Sequence, residues 1–399
     1  MITVEQAWHI IQNQTRDYGT EAVAFERSLG RILAEDILAD RDMPPFDRVT
    51  MDGIAINYTD FAGGNRSFTI AGTQAAGDEP LRGSKPDHCV EIMTGAVLPE
   101  GFDTIIRYED VLITGNHAEV IVENIRRGQN IHNKGKDKQQ GDVVAAKGRV
   151  ISPALISIIA SVGKTNVLVK KFPKVVIISS GDELVEVDET PAIYQIRRSN
   201  NYTIKAILQQ QGLQIDMVHI PDEPNVTRDE ISRCLDNYDV ILLSGGISMG
   251  KFDYIPQALE EVGVTKLFHK VRQRPGKPFW FGANDKGVLV FAFPGNPVAT
   301  FMCVHRYFLP WLQDTLGLLT QKRYAVLAAD FTFEPDLEYF LQVQTTMAPD
   351  GRTMATPLAG NGSGDFANLA DTDAFLQLPA DRTDFEAGEV FELFQFNRN

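Results

Sequence analysis

The chain has 399 residues, of which 43% are hydrophobic and 23% charged, and at about 100–200 residues per domain this length predicts two to four domains. Its formal net charge of −15 at pH 7 argues against nucleic acid or an anionic membrane as a main partner, because either would attract a basic surface. Cys89, Cys234 and Cys303 lie far apart, which argues against a disulfide framework or a zinc knuckle. Since no basic leader and no apolar run approaching about 20 residues occurs, we expect a cytoplasmic protein.

The amino-terminal segment predicts two helices followed by a boundary. A potential capping box at residues 3–6 precedes apolar residues at helical spacing. Residues 28–38 predict a second helix. Adjacent prolines at positions 44 and 45 would break any helix, so a domain boundary is expected there.

Residues 44–144 predict a β-rich domain. Short β-rich runs separated by Gly, Asp and Asn turns are predicted at 67–71, 90–93, 104–107 and 119–122. Ser152 and Pro153 then begin a predicted helix that ends near Gly163. If that helix packs with the amino-terminal helices, residues 1–43 and 145–173 form one helical or linker domain, and the β-rich domain is an insertion in it.

The central region is organised around residues 239–253, DVILLSGGISMGKFD. The apolar run at 240–243 is typical of a strand that is buried on both faces of a parallel sheet. The Ser-Gly-Gly sequence after it predicts a tight turn with exposed amides, and residues 253–261 predict a helix.

The same pattern of a strand and a small-residue turn occurs twice more, at 175–183 and at 288–297, where an amphipathic helix follows through residue 311. We therefore predict a doubly wound α/β domain over residues 174–321. Alternating runs at 325–333, 339–346 and 390–396 predict a carboxy-terminal β domain over residues 322–399. The predicted fold class is thus multidomain α/β plus β, with an inserted β-rich domain.

Ligands bind at the carboxyl ends of the strands in doubly wound sheets. The three turns therefore predict one crevice formed by Asp182, Glu183, Ser244, Gly246, Asp253, Gly295 and Asn296. The carboxylates of Asp182, Glu183, Asp222 and Asp253 would repel one another there, and a Mg²⁺ ion shared with substrate phosphates would relieve the repulsion. Asp253 is equally suited to cap the helix that follows it.

Two basic clusters lie inside this acidic chain, at residues 126–138 and 266–277. Each is either a solvated surface or a site for an anionic ligand. Arg274-Pro275-Gly276-Lys277-Pro278 favours the functional interpretation, because its prolines stiffen the backbone around the Lys277 ammonium group. Asp52 and Thr94 lie in turn-prone stretches, and the residues alone favour a structural role for both.

From the residues alone, the chain is expected to bind a phosphorylated ligand with Mg²⁺, and the reaction stays open. Six motifs in order, MDGIA, IMTGAVLPEG, SSGDEL, SGGISMGKFDY, RPGKP and FPGNPV, resemble the molybdopterin molybdenumtransferase (MoeA) family, which is related to the gephyrin E domain. The resemblance covers essentially the whole chain. It implies a homodimer of four-domain subunits with an α/β domain similar to molybdopterin adenylyltransferases.

The resemblance also implies an activity in molybdenum cofactor biosynthesis. Family members take adenylylated molybdopterin and molybdate, insert the metal into the dithiolene and release AMP, assisted by Mg²⁺ or Zn²⁺. The substrates are thus small molecules, and a molybdopterin adenylyltransferase is an implied protein partner. Neither nucleic acid nor a membrane is expected as a partner.

Site residues are carried over motif by motif. The implied catalytic residues are Asp52, Thr94, Asp137, Glu183, Asp222, Asp253 and Lys277. Three of these, Glu183, Asp222 and Asp253, are the implied metal ligands. The implied substrate-binding residues are Asp182, Ser244, Gly245, Gly246, Gly250, Arg274, Pro278, Pro294, Gly295, Asn296, Pro297 and Ser363.

Three positions depart from the family pattern. His132 stands where arginine is common, Ala299 where a serine usually follows the PGNPV motif, and Leu341 near the position of a common arginine. The alternatives to the transferase are therefore a molybdopterin-binding paralogue without efficient metal insertion and a tungstate-preferring transferase. A scaffold role is disfavoured, because the chain has no extra domain or long disordered linker.

Overall fold

The structure is a computed structural model that describes residues 1–83, 85–247, 254–318, 321–358 and 364–397. The chain forms two units. The first contains Met1–Glu21, Gly30–Ile32 and the chain from Val169 onward. The second contains Ala22–Leu29 and Leu33–Leu168.

A six-stranded sheet lies at the centre of the first unit. Its strands are β1 (Val175–Ser180), β2 (Ile215–Ile220), β3 (Val240–Ser244), β4 (Thr265–His269), β5 (Trp280–Ala283) and β6 (Leu289–Phe293). Their spatial order is β2-β1-β3-β6-β5-β4, in which the first four strands are parallel and β5 runs antiparallel to both of its neighbours, β6 and β4. Every residue of β1, β3 and β6 is buried, as the continuous apolar run of β3 predicts.

Helices cover both faces of this sheet. They are α1 (Ser199–Gln210), α2 (Pro224–Asn237), α3 (Ile255–Glu261), α4 (Pro297–Cys303) and α5 (Leu309–Thr315), with a π-helix at Val304–Phe308 between the last two. Within β1, Val175 and Ile177 pack into one hydrophobic cluster with α1, whereas Val176 and Ile178 pack into another with α2. This alternation is the doubly wound arrangement that the sequence predicts.

The amino-terminal helix Val4–Gln12 begins with the predicted capping box, in which the Thr3 side chain accepts from the Gln6 amide. Its apolar face joins the cluster that holds α1. The helix predicted at 28–38 is wrong. The chain instead forms a short 3-10 turn at Phe25–Arg27 and a strand at Ile37–Leu38, which pairs with Val143–Ala145. Because Gly30 adopts a φ of +77°, a helix could not continue through it.

The carboxy-terminal part of the first unit is a β domain with a separate hydrophobic core. Its strands are Arg323–Leu327, Phe331–Thr332, Glu338–Met347, Thr353–Pro357, Ala374–Leu378, Asp384–Phe385 and Val390–Gln395, and a 3-10 turn lies at Phe366–Ala370. The short strand Gln273–Arg274, which comes from the α/β region, pairs in parallel with Glu338–Tyr339 of this sheet. The RPGKP segment is thereby joined to the terminal domain.

The second unit is built on another six-stranded sheet. Its strands are Gly53–Ile56, Ser67–Gln74, His88–Ile92, Thr104–Arg107, Val111–Thr114 and His117–Val120. A separate two-stranded pair joins Arg48–Val49 to Ile131–His132. The remaining elements of the chain are the helices Tyr58–Ala62 and Pro153–Ser161, a 3-10 turn at Tyr108–Asp110, the strands Thr20–Ala24 and Asn166–Lys170, and the pair Leu184–Val185 and Ile196–Arg197.

The predicted fold class is confirmed, with a doubly wound α/β region, a β-rich region that precedes it and a terminal β domain. The boundaries of the four predicted domains stay a prediction. Within the described ranges, no helix is both long and apolar enough to cross a bilayer.

His305 makes the stability of the first unit depend on pH. Burial lowers the pKa of His305 to about 4, and its Nδ1 lies 2.9 Å from the Phe301 carbonyl. A histidine is free to take up a proton near pH 6.5 once the chain unfolds, so acid favours the unfolded state. Stability is therefore lost as the pH falls from about 6.5 towards about 4.

We expect His305→Gln, which cannot titrate but can still donate to Phe301, to reduce the pH sensitivity of unfolding. The wild type should lose about 2 kcal/mol more than the variant between about pH 7 and 5. Denaturant unfolding followed by tryptophan fluorescence measures this, because all three tryptophans, Trp8, Trp280 and Trp311, lie in the first unit. His9→Gln, at an exposed histidine, is the matched control; equal pH slopes for both variants would contradict the assignment.

Candidate active site at the carboxyl edge of the central sheet

The three predicted turns meet where β1, β3 and β6 end. The Gly245 amide after β3 donates to the Phe293 carbonyl at the end of β6 over 3.2 Å. Gly245 has a φ of +96°, and a Cβ added to it would lie 3.2 Å from the Ser180 carbonyl oxygen. A side chain at this position would therefore strain the backbone and press on the neighbouring loop. Gly246 faces away from these loops, towards Ile255 of α3.

A cavity of about 160 Å³, here called the sheet-edge cavity, opens among these loops and the start of α1. Six residues implied by the motifs line it, namely Glu183, Ser244, Gly245, Gly295, Asn296 and Pro297. It is also lined by five consecutive residues that sequence reasoning missed, Arg197, Arg198, Ser199, Asn200 and Asn201.

Glu183 presents an exposed carboxylate to this cavity. Its backbone carbonyl accepts from the Ile196 amide at 2.8 Å, and the adjacent residues 184–185 pair in parallel with Ile196–Arg197. The carboxylate lies over Gly181, where an added Cβ would come within 2.4 Å of Glu183 Oε2. The loop after β1 thus holds a carboxylate in a defined position beside the cavity.

Asp182 and Asp222 connect the loops after β1 and β2. The Asp222 carboxylate accepts from the Ser180 hydroxyl at 3.0 Å, and the Asp222 amide donates to Asp182 Oδ1 at 3.1 Å. These bonds orient both acids towards each other's loop. Asp253 and Gly250 of the neighbouring motif, and Ser363 of the terminal domain, lie outside the described residues.

The predicted metal site is only partly represented in the structure. Among the residues that the structure describes, no group of three or more His, Cys, Asp and Glu side chains is arranged to hold a metal ion. Glu183 and Asp222 are the two predicted ligands within the described ranges, and Asp253 is outside them. The three-ligand set stays a prediction.

Asn200, at the start of α1, connects the walls of the sheet-edge cavity. Its side-chain amide donates to the Ser244 hydroxyl and to the Gly295 carbonyl, both at 2.8 Å, and lies 3.4 Å from the Thr300 hydroxyl. One side chain therefore links α1, the end of β3 and the PGNP loop. The polar run at residues 197–201 is the signal by which this residue could have been found.

Basic side chains near the rim of this cavity differ in their charge. Arg198 is mostly buried and forms an ion pair with Glu186. Burial, and secondly the positive charge of Arg198, lowers the pKa of His219, whose Nδ1 lies 3.1 Å from the Ser179 hydroxyl. His219 is therefore neutral at pH 7, and the positive charge at this end of the cavity comes from the arginines.

A second cavity of about 240 Å³, here called the cationic cavity, shares Gly295 and Asn296 with the first. Its other lining residues are Gln273, Arg274, Pro275, Gly276, Lys277, Pro278, Pro294, Ala299 and Leu337. The charged side chains in this lining are both cations, those of Arg274 and Lys277. Within the described part of the chain neither forms an ion pair, whereas the nearby Lys266 and Arg272 are paired with acids.

The RPGKP loop rests on a buried polar network. Gln273 is fully buried, accepts a hydrogen bond from the Tyr307 hydroxyl and donates to Cys303 Sγ at 3.6 Å. Gly276 has a φ of +92°, and an added Cβ would lie 2.6 Å from Gln273 Nε2 and 2.7 Å from Cys303 Sγ. The loop can pack onto this network only with glycine at position 276. Its base is thus buried, while Arg274 and Lys277 are exposed on top of it.

The second unit holds the remaining predicted site residues. The Thr94 amide donates to Asp52 Oδ1 at 2.6 Å, and this bond lowers the pKa of the exposed Asp52 carboxyl. Asp137 lies in a different set of contacts, in which its carboxylate is 2.9 Å from His132 Nε2. The structure therefore brings Asp52 and Thr94 together, as their shared predicted role requires.

The structure shows the surroundings of two residues that depart from the family pattern, Ala299 and Leu341. Ala299 lines the cationic cavity and is almost fully buried. Leu341 is 1% exposed in the hydrophobic core of the terminal β domain. Leu341 lines neither cavity. Leucine instead of arginine at position 341 therefore does not change the charge of the cavity walls.

Comparisons with known proteins cover nearly the whole chain. Residues 2–163 match the MoeA N-terminal region (domains I and II), residues 176–314 a probable molybdopterin-binding domain, and residues 324–396 the MoeA C-terminal region (domain IV). A molybdopterin biosynthesis MoeA protein from Pyrococcus horikoshii has a similar structure, with a TM-score of 0.83 and 28% identity over 100% of both chains.

Curated relatives agree with these matches. The molybdopterin molybdenumtransferase of Synechocystis sp. is 41% identical over 399 residues, covering 99% of this chain and 100% of the relative. That of Staphylococcus aureus is 32% identical over 400 residues, covering 98% and 95%. Sequence, domain order and fold therefore agree that this chain belongs to the molybdopterin molybdenumtransferase family.

Proposed function

We propose that this chain is a molybdopterin molybdotransferase that inserts molybdenum from molybdate into adenylylated molybdopterin and releases AMP, with Mg²⁺ as the assisting cation. The observation that carries the proposal is the pair of adjoining cavities that share the wall Gly295-Asn296, one lined by Arg274 and Lys277 and the other by the Glu183 carboxylate together with Arg197 and Arg198. A reaction between a phosphorylated pterin and an oxyanion needs two adjoining sites of this kind.

The cationic cavity supports a role in binding molybdate. Molybdate carries two negative charges, and Arg274 and Lys277 are two cations without an ion-pair partner in the described chain. Their shared loop is anchored by Gln273, which fixes where the two charges stand. An anion entering this cavity therefore meets a preorganised positive site, and no protein ion pair has to break first.

The sheet-edge cavity supports a role in binding the phosphorylated pterin. The amino terminus of α1 supplies N–H dipoles, and Arg197 adds positive charge beside Arg198, which is paired with Glu186. Pterin rings and phosphates are large and polar, so they require a lined groove with several donors and acceptors. Asn200 holds three parts of that groove together.

Mg²⁺ fits the donor set of the sheet-edge cavity, because this ion is commonly bound by one or two carboxylates together with substrate phosphates. Glu183, which lines the cavity, would be one ligand, and Asp222, with Asp253 of the neighbouring motif, would complete the protein part of the shell. When bound there, Mg²⁺ would neutralise charge on the phosphoanhydride. We assign Asp52, Thr94 and Asp137 of the second unit to the same reaction by family membership.

The binding-paralogue alternative loses much of its support. It depended on missing cations at positions 132 and 341. Leu341 lies in a hydrophobic core, and His132 retains a polar contact with Asp137. Molybdate and tungstate carry the same charge, so the charges of the cavity do not select one over the other. The measurement of AMP release described below decides which oxyanion is preferred.

Three broader assignments belong to this proposal. We infer a homodimer and a molybdopterin adenylyltransferase partner from family membership. A reducing, cytoplasmic setting is supported by the cysteines, since all three are described, buried and free of disulfides. Sedimentation of the purified chain would test the dimer directly.

The first prediction from this proposed function is that the purified wild-type chain releases AMP from adenylylated molybdopterin only when molybdate and Mg²⁺ are both present. Chromatographic quantification of AMP measures this, and Glu183→Ala should reduce release by at least about 100-fold because it removes a proposed cation ligand. Tight pterin binding without AMP release, for molybdate and tungstate alike, would identify a binding paralogue instead.

The second prediction concerns Lys277. Lys277→Ala should raise the molybdate concentration for half-maximal rate by about tenfold or more, because a charge-assisted contact contributes about 1.5–3 kcal/mol. The KM for the pterin substrate should change much less. Lys266→Ala, which removes a lysine paired with Glu260 outside both cavities, is the matched control. Equal increases for both substrates would reject the oxyanion role.

The third prediction concerns Asn200. Asn200→Ala should weaken binding of adenylylated molybdopterin about tenfold, because the Ser244 and Gly295 acceptors lose their shared donor and the groove loosens. Titration calorimetry measures this affinity. Gln209→Ala, at an exposed position near the other end of α1, should leave it unchanged. Unaltered affinity in Asn200→Ala would show that the groove does not need this link.

A further inference from the structure

His132 of the second unit lies between a cation and an acid. The antiparallel pair of residues 48–49 with 131–132 places His132 directly opposite Arg48. Arg48 Nη2 is 3.2 Å from His132 Nδ1, and Asp137 Oδ1 is 2.9 Å from His132 Nε2. Each ring nitrogen therefore has one charged partner.

These two contacts select one protonation state of the imidazole. A guanidinium can only donate, so the Nδ1 facing Arg48 must accept and cannot carry a proton. An ionised carboxylate can only accept, so the Nε2 facing Asp137 must carry the proton. The neutral imidazole with its proton on Nε2 satisfies both contacts, and the doubly protonated ring would set an N–H group against Arg48.

The surroundings keep this arrangement ordered while leaving Asp137 accessible. The side chain of His132 is 23% exposed and that of Asp137 is 58% exposed. The Asp137 amide donates to the Met43 carbonyl at 2.9 Å, which fixes the backbone of the acid. Arg48 and Asp137 both line a cavity of about 380 Å³.

Several other charged groups of the surrounding segments have partners of their own, whereas Lys136 and Lys138, on either side of Asp137, form no ion pair within the described residues. Lys134 lies 3.5 Å from Asp42 through its ammonium group, and its amide donates to Asp47 at 2.8 Å. Asp40 and Arg41, also in the lining of the cavity, lie 3.4 Å apart as an ion pair. The groups that contact the imidazole directly are thus Arg48 on one side and Asp137 on the other.

We propose that His132 is a positioning residue: in its neutral form, with the proton on Nε2, it links Arg48 to Asp137 and orients the Asp137 carboxylate towards the cavity. The inference rests on the proposed function in one respect, since it takes Asp137 to act on the substrate. It adds a role for His132 in setting the geometry of Asp137.

The kinetic test compares three substitutions at pH 8. His132→Gln offers an acceptor to Arg48 and a donor to Asp137, and it should keep at least about a third of the wild-type AMP release. His132→Leu removes both bonds and should lower kcat about tenfold, with a smaller effect on KM.

His117→Gln, at an exposed histidine of the same unit, is the matched control and should retain the wild-type rate. If the glutamine and leucine variants had equal rates, the positioning role would be wrong. Thermal melting of each variant checks that it is folded, so that a change in rate can be assigned to the lost contacts.

A second measurement does not require turnover. In protein labelled with ¹⁵N-histidine, the ring nitrogen shifts distinguish the two neutral tautomers and the cation. The chain has seven histidines, and the signals absent from His132→Gln identify His132. At pH 8 they should show the proton on Nε2, and Arg48→Met should shift the ring towards a mixture of tautomers.

The two measurements separate failure of this inference from failure of the proposed function. A wild-type chain that never releases AMP would refute the transferase, while the nitrogen shifts would still report the link between Arg48 and Asp137. A ring protonated on Nδ1 at pH 8 would overturn the link even in an active enzyme.

Discussion

The burial of β1, β3 and β6 on both faces is the constraint on which the rest of the structure depends. Strands of this kind can carry only apolar side chains along most of their length, since helices cover both sides. Polar chemistry is therefore confined to the strand ends. There the backbone leaves the sheet through Gly181, Gly245 and Gly295, and a side chain at Gly245 would press on the Ser180 carbonyl of the neighbouring loop.

Charge is separated within this edge. The carboxylates of Asp182, Glu183 and Asp222 belong to the loops after β1 and β2, whereas Arg274 and Lys277 stand on a loop that is joined to the terminal β domain. Different elements thus supply the opposite charges. Within the described residues no ion pair joins these three acids to Arg274 or Lys277, so both charges remain available to ligands.

Much of the fold follows from the sequence, because local patterns determine it. The apolar runs at 175–179, 240–243 and 288–293, and the capping box at 3–6, are formed by neighbours in the chain. The helix predicted at 28–38 failed because its residues pair with distant ones, at 143–145, and because Gly30 takes a positive φ. Long-range pairing of this kind leaves little local signal.

The site was predictable where glycine and proline mark a loop, and not where one side chain spans several elements. The motif residues Glu183, Ser244, Gly295 and Lys277 all line one of the two cavities. The bonds of Asn200 reach residues 44, 95 and 100 positions away, and those of Gln273 reach residues 30 and 34 positions away. No spacing rule within a short window could have indicated such partners.

The shared wall Gly295-Asn296 has a thermodynamic consequence. Any movement of this wall that an oxyanion imposes from one side changes the shape that a pterin meets on the other. By linkage, the factor by which the oxyanion alters pterin affinity must equal the factor by which the pterin alters oxyanion affinity. Under the proposed function, the two substrates would therefore be each other's allosteric effectors to the extent that this wall moves, across a separation of only two residues.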